Sequence, residues 1–350
     1  MIVAQTKMVE VPIAVVAPAG SQPAWRQIVE PAQPFLAAVA ERLGEQVQAF
    51  DPEISAYTQY ALTNQGKQMR PALVALSAGA TGKLSDAHVT VAVIIEMVHL
   101  ATLVHDDVMD EAEIRRRRPT LAANWGNGMS VLVGDCLFAH ALKLAAGFPT
   151  PDICRAVAAA TNTVCSGEIL QTHRRLNFQF TRAEYFKVLA MKTAELFALS
   201  CELGARISGA SGQAQAAMRE FGMALGTAYQ IYDDCVDLFG SEASAGKSLG
   251  TDLASGKLTL PVLVMLERAH PADQVRLKEF IQQWRPHYHP RILELLDQYD
   301  ALPESRAAIH QYIQAARAAL GMLPASASRS ALNGLTEFLA QQTDALGVAS

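Results

Sequence analysis

Cysteine is scarce in this chain. Its 350 residues hold five, none in a C-x-x-C pair, which suggests neither a disulfide framework nor a cysteine-ligated zinc site and points to a reducing compartment, the cytoplasm. Charge is also sparse, at 18% of residues, and Lys and Arg (29) are outnumbered by Asp and Glu (34) for a net charge of −5. No face-sized basic excess is left to neutralise a polymer's phosphates, so nucleic acid is not expected as a partner. No uninterrupted apolar run approaches the roughly 20 residues that span a bilayer, and no integral membrane segment is expected. Strand-like alternation is almost missing. Val11 to Ala17 is apolar and leads into Ala17-Pro18-Ala19, a faint likeness to a signal peptide that Glu10 and Pro12 fit poorly. Residues 1–24 therefore read as a loosely held extension, and 25–350 as one domain.

What the chain has is apolar material, half of all residues, set at helical spacing. The pattern predicts helices over Pro31 to Phe50, Ile54 to Leu62, Asp86 to Val108, Val131 to Ala146, Asp152 to Leu170, Arg182 to Ile207, Ala214 to Phe239 and Leu258 to Arg268. Gly240 to Gly256 reads as a polar loop, and amphipathic helices follow to the end. The expected fold is all-α: about ten or more helices packed around a cavity.

The chemistry gathers in VAVIIEMVHLATLVHDDVMDEAEIRRRRPT, residues 91–120. Helical spacing puts Asp106 and Asp110 on one face, where they repel, with His99 at nearly the same angle. A cation between the carboxylates relieves that repulsion, and magnesium prefers such hard oxygen donors. Arg115 to Arg118 then suggest an anion close by, so the set reads as a diphosphate site. A lone D-D-x-x-D arises easily by chance. Here it recurs as Asp233, Asp234 and Asp237 in QIYDDCVDLFG, with Gln230 one turn earlier. Two such clusters facing each other could hold two or three magnesium ions and clamp a diphosphate. Gly246-Lys247-Ser248 invites a nucleotide-loop reading, but the glycine spacing is wrong and a helix precedes it. Gly66-Lys67-Gln68-Met69-Arg70-Pro71 places two cations in a loop between helices. Lys192-Thr193 contributes one more cation within a helix.

As a set these residues resemble the trans-polyprenyl diphosphate synthases, through GKQMRP, EMVHLATLVHDDVMDEAEIRR, WGN, VLVGD, GEILQ, MKTAELF, YQIYDDCVDLFG and GKSLGTDLASGKLTLP in the family's order. The resemblance implies an isoprenoid synthase-like bundle of mostly antiparallel helices around a deep cavity, usually a homodimer. It implies that Asp106, Asp110 and Asp233 ligate magnesium, with Asp107, Asp234 and Asp237 in support. Arg115, Lys192, Thr193, Gln230, Lys247 and Lys257 would hold an allylic diphosphate, and Lys67, Arg70, His99 and Arg116 isopentenyl diphosphate. Catalysis would rest on Asp106, Asp110, Asp233, Lys192 and Lys247. Ala101 and Thr102, five and four residues before Asp106, match the family's chain-length gate, and both are small. The implied product is therefore longer than C20, in the range C30 to C45, with Phe138 as a candidate floor below the gate. A short-chain synthase is the alternative. A terpene cyclase would not need Lys67, Arg70 and His99, and a non-catalytic partner subunit would lack the acidic motifs. Three residues depart from the family pattern: Arg117 stands in place of a glycine, Gln65 in place of another, and Tyr229 in place of phenylalanine.

Overall fold

A computed structural model describes residues 22–63, 66–241 and 249–347, with side chains from Trp25 onward. The extension read over residues 1–24 lies outside the described residues up to position 21, as do Gln65 and Lys247. Helices α1 (Gln22–Val29), α2 (Gln33–Gln46), α3 (Ser55–Leu62), α4 (Met69–Thr81) and α5 (Asp86–Met109) lead to a short hairpin. Then come α6 (Leu121–Trp125), α7 (Asn127–Ala146), α8 (Asp152–His173), α9 (Arg182–Leu189), α10 (Glu195–Ile207) and α11 (Gly212–Phe239). The C-terminal part adds further helices, of which Ala301–Gly321 and Ala327–Asp344 are the longest. One apolar core runs through all of them, from Val29 to Leu346.

The site hangs on α5, α10 and α11. Helix α10 packs between α4 and α11; α5 lies along α7 and α4, and α11 along Ala301–Gly321. The start of α5 is fixed by Ser85, whose N–H donates to Nδ1 of His88 at 3.0 Å. The imidazole proton therefore sits on Nε2, which donates to the Gly204 carbonyl of α10 at 3.2 Å. From Val91 to Val98 every side chain of α5 is buried, as in a helix at the centre of a bundle.

Three expectations need correction. Helices α5 (24 residues, mean hydropathy 1.9) and α7 (20 residues, 1.5) are long and apolar enough to cross a membrane. Averaging over a window tolerates the interspersed His88 and Glu96 that break an uninterrupted run. The apolar window of α5 is 72% buried within the protein, which is how a core helix meets the same test. Secondly, α7 begins at Asn127 rather than Val131, because Gly126 alone makes the break at φ 84° and Gly128 is absorbed into the first turn. Thirdly, Arg70 and Pro71 belong to the first turn of α4 and not to a loop; proline is tolerated there because that N–H has no helical acceptor.

Candidate active site

The C-terminal end of α5 concentrates three carboxylates where the helix dipole is already negative, an arrangement that is unfavourable unless cations answer it. They do. Arg115 Nε donates to Asp107, and Asp110 takes Lys257 Nζ at 2.8 Å and Arg175 Nη2 at 2.7 Å. Lys192 Nζ stands 3.7 Å from Asp106, pairs with Glu168, and donates to Gln171 Oε1 at 2.8 Å. Burial, helped by Glu168 and Asp110, pushes the Asp106 carboxyl up to about 6 against the pull of Lys192. Burial also opposes the charge on Lys192, but Asp106 and Glu168 more than offset it and hold its pKa up.

At the end of α11 the three aspartates divide the work. Asp233 is exposed, within electrostatic reach of Lys67. Asp234 is buried and accepts from Tyr185 Oη at 2.7 Å and Gln230 Nε2 at 2.8 Å, while Gln230 Oε1 accepts from Thr193 at 2.9 Å. Asp237 is fully buried, and both its oxygens hold the 250–252 turn: Thr251 Oγ1 donates at 2.7 Å and the Asp252 N–H at 3.0 Å. Asp237→Ala should therefore destabilise the protein by roughly 3 kcal/mol, since two donors lose their acceptor. Thermal unfolding of that variant checks this; an unchanged Tm would return Asp237 to the metal-binding set.

The end of α11 opens on a pocket whose walls include Lys192, Thr193, Gln230, Asp234 and Lys257, and Lys192 and Lys257 join it to the end of α5 through Asp106 and Asp110. Among the described residues no three His, Cys, Asp or Glu side chains form a ready-made metal cage. Magnesium does not require one, because it is commonly held by one or two carboxylates together with waters and substrate phosphates. The donors present, Asp106 and Asp110 on one side and Asp233 on the other, are hard oxygens and fit that ion.

The second set of cations also converges. Arg70 lies over the Phe197 ring, 5.1 Å from its centroid, and the Arg116 guanidinium sits against Gly66, where an added Cβ would meet Nη2 at 2.5 Å. Both Arg70 and Arg116 feel the charge of Glu96, a carboxylate only 2% exposed in the middle of α5. His99, one turn after Glu96, is held neutral by burial and by Arg70, Arg116 and Arg115. The neutral ring can still donate one hydrogen bond.

Arg117 is explained by the hairpin. Ile114–Arg115 pairs with Arg118–Pro119, leaving Arg116 (φ 52°) and Arg117 (φ 62°) as a two-residue turn. Such turns need positive φ at both positions and favour glycine at the second. Arg117→Gly should raise stability by about 1 kcal/mol, the left-handed penalty of a side chain, with activity little changed. A large loss of activity would show that this exposed arginine contacts a phosphate.

The proposed gate residues separate. Ala101 has no accessible surface and packs into the core. Thr102 is partly accessible, its hydroxyl donating to the His99 carbonyl at 2.7 Å. Phe138 packs against the ring of His105, the residue before Asp106, with centroids 5.6 Å apart. Sequence reasoning assigned no role to Glu96, Glu168, Gln171, Arg175, Tyr185 or Asp252. Glu96, Glu168, Gln171 and Asp252 stood within the quoted motifs and could have been found there; Arg175 and Tyr185 carried no local signal.

The polyprenyl synthetase family profile matches residues 51–297. An octaprenyl diphosphate synthase of Escherichia coli is 33% identical over 307 residues, covering 87% of this chain and 94% of the relative. A heptaprenyl diphosphate synthase component 2 of Bacillus subtilis is 36% identical, covering 87% of each. The crystal structure of a decaprenyl diphosphate synthase from Rhodobacter capsulatus superposes with a TM-score of 0.85 at 32% identity, over 91% of this chain and 99% of that one. A profile spanning most of the chain and relatives of this similarity place the protein in the polyprenyl synthetase family, the prenyltransferases that build polyprenyl diphosphates.

Proposed function

We propose that the protein condenses isopentenyl diphosphate with an allylic diphosphate, with magnesium bound, to make a polyprenyl diphosphate longer than C20. The observation that carries this reading is the pocket at the acidic end of α11, from which Lys192 and Lys257 reach Asp106 and Asp110 at the acidic end of α5. Asp106, Asp110 and Asp233 would hold magnesium, whose chemistry is to neutralise charge on a departing diphosphate. The chain's own cations act on the same group. Arg115, Lys192 and Lys257, with Thr193 and Gln230, bind the allylic diphosphate and stabilise it as its C–O bond breaks. Lys67, Arg70, His99 and Arg116 position isopentenyl diphosphate so that its double bond meets the allylic carbon. That attack leaves a carbocation on the isopentenyl unit, and the carbon beside it gives up a proton to the released diphosphate as the new double bond forms. Lys247 belongs to the allylic set by resemblance and lies outside the described residues.

Small residues at Ala101 and Thr102 support a long product, and of the two Thr102 has the exposed surface that a growing chain could touch. Purified protein incubated with magnesium, farnesyl diphosphate and labelled isopentenyl diphosphate should yield labelled products longer than C20 after dephosphorylation. A product of C15 or C20 would make it a short-chain synthase, and unlabelled hydrocarbon a cyclase. The five free cysteines fit a cytoplasmic location. Exposed apolar side chains on α7 and α8, Val131, Leu132 and Ile169 among them, fit a homodimer contact.

A further inference from the structure

The helix carrying Lys192 and Thr193 is not regular. Between α9 and α10 the chain makes a π turn, Ala190–Ala194, where helical periodicity predicts an unbroken helix from Arg182 to Ile207. Such turns have poorer hydrogen-bond geometry than an α-helix and gather at functional sites, so something must hold this one in place. Two glycines touch its backbone. A Cβ at Gly167 of α8 would lie 2.8 Å from the Lys192 nitrogen and 2.9 Å from Met191 Cβ. One at Gly226 of α11 would lie 2.7 Å from Ala194 Cα and 3.0 Å from Phe197 Cβ. The residue after the turn, Glu195, is buried and receives two hydrogen bonds from Arg219 Nη2, both 2.8 Å. On α11, Arg219, Gly226 and Gln230 follow at i, i+7 and i+11, one stripe of an α-helix, and each touches the turn or the residue that ends it.

We propose that Gly167, Gly226 and the Glu195–Arg219 pair are positioning residues: they clamp the π turn so that Lys192 and Thr193 present their side chains together to the allylic diphosphate. The clamp rests on the reading of those two residues as diphosphate contacts. Its geometry explains how adjacent residues reach partners on different helices. Lys192 reaches Gln171 and Asp106, and Thr193 reaches Gln230. A clamp that slips would move both donors at once, and misplacement of about 1 Å can cost about 10²-fold in rate.

The test compares Gly226→Ala with Gly82→Ala, whose added Cβ would lie 2.6 Å from the Ser208 carbonyl, at the opposite end of α10. Both substitutions crowd a backbone and should lower Tm. Only Gly226→Ala should raise the KM for farnesyl diphosphate, by about tenfold or more, and lower kcat, with the KM for isopentenyl diphosphate within about twofold of wild type. Arg219→Met, which adds no crowding, should give a smaller split of the same sign and carries the test if Gly226→Ala does not fold. Wild-type KM for farnesyl diphosphate in the folded variants, or equal shifts for both substrates, overturns the clamp. Calorimetric binding of inorganic diphosphate with magnesium separates the two readings. A wild-type protein that binds diphosphate but condenses nothing refutes the proposed activity, and weaker diphosphate binding by Arg219→Met or Gly226→Ala would still support the clamp. Unchanged binding in those variants refutes it.

Discussion

Asp106→Ala and Asp233→Ala should each lower turnover by at least about 10²-fold, the scale of losing one electrostatic contact to a developing charge, while Tm stays level or rises. For Asp106 the second half follows from its surroundings. Burial and the neighbouring Glu168 and Asp110 raise its carboxyl to about 6, so its charge is unfavourable in the folded protein, and removing it relieves repulsion. Lys192 keeps Glu168 and Gln171 as partners, so no buried cation is left alone. Asp233 is exposed and its loss opens no core. Rates at saturating magnesium, read beside thermal unfolding, decide the matter. Near-normal turnover in both variants would sink the two-site magnesium reading. The contrast with Asp237→Ala is part of the test, because there stability falls first.

That contrast shows what a motif reveals and what it hides. D-D-x-x-D was legible twice because it is local: helical spacing alone puts its first and last members on one face. Its division of labour was not. Asp234 is committed to Tyr185 and Asp237 to the 250–252 turn through partners 14 to 49 residues away, and no spacing rule encodes them. The same holds for Lys257 and Arg175, which reach Asp110 across 147 and 65 residues. The all-helical fold and most helix spans were readable from apolar periodicity. The π turn was not, since one extra residue in a turn barely disturbs a periodic pattern. Arg117 was recognised as out of place, but only the hairpin register shows the left-handed backbone that makes glycine the easier residue. Ala101 looked like a gate by position, and its buried surface is a property of neighbours the sequence does not place beside it.

The second large effect is expected at the other substrate. Arg70→Ala should raise the KM for isopentenyl diphosphate by about 10²-fold, the cost of truncating one charged partner in a partly buried pair, and leave the KM for the allylic substrate nearly unchanged. The reason lies in how this guanidinium is held. Burial draws its pKa down to about 10 against the opposing charge of Glu96, so it remains a cation near neutral pH, and the Phe197 ring covers one face. Its Nε is buried and has no acceptor among the described residues, a donor whose desolvation is not repaid until an anion arrives. His99 is neutral and can donate without adding charge, which leaves Arg70 and Arg116 to balance the diphosphate. Lys67→Ala should move the same KM in the same direction but less, because Lys67 is the more exposed residue and its charge is better screened. If both Michaelis constants rise together in Arg70→Ala, the first turn of α4 supports the whole cavity and the two diphosphates are not read by separate sets of cations.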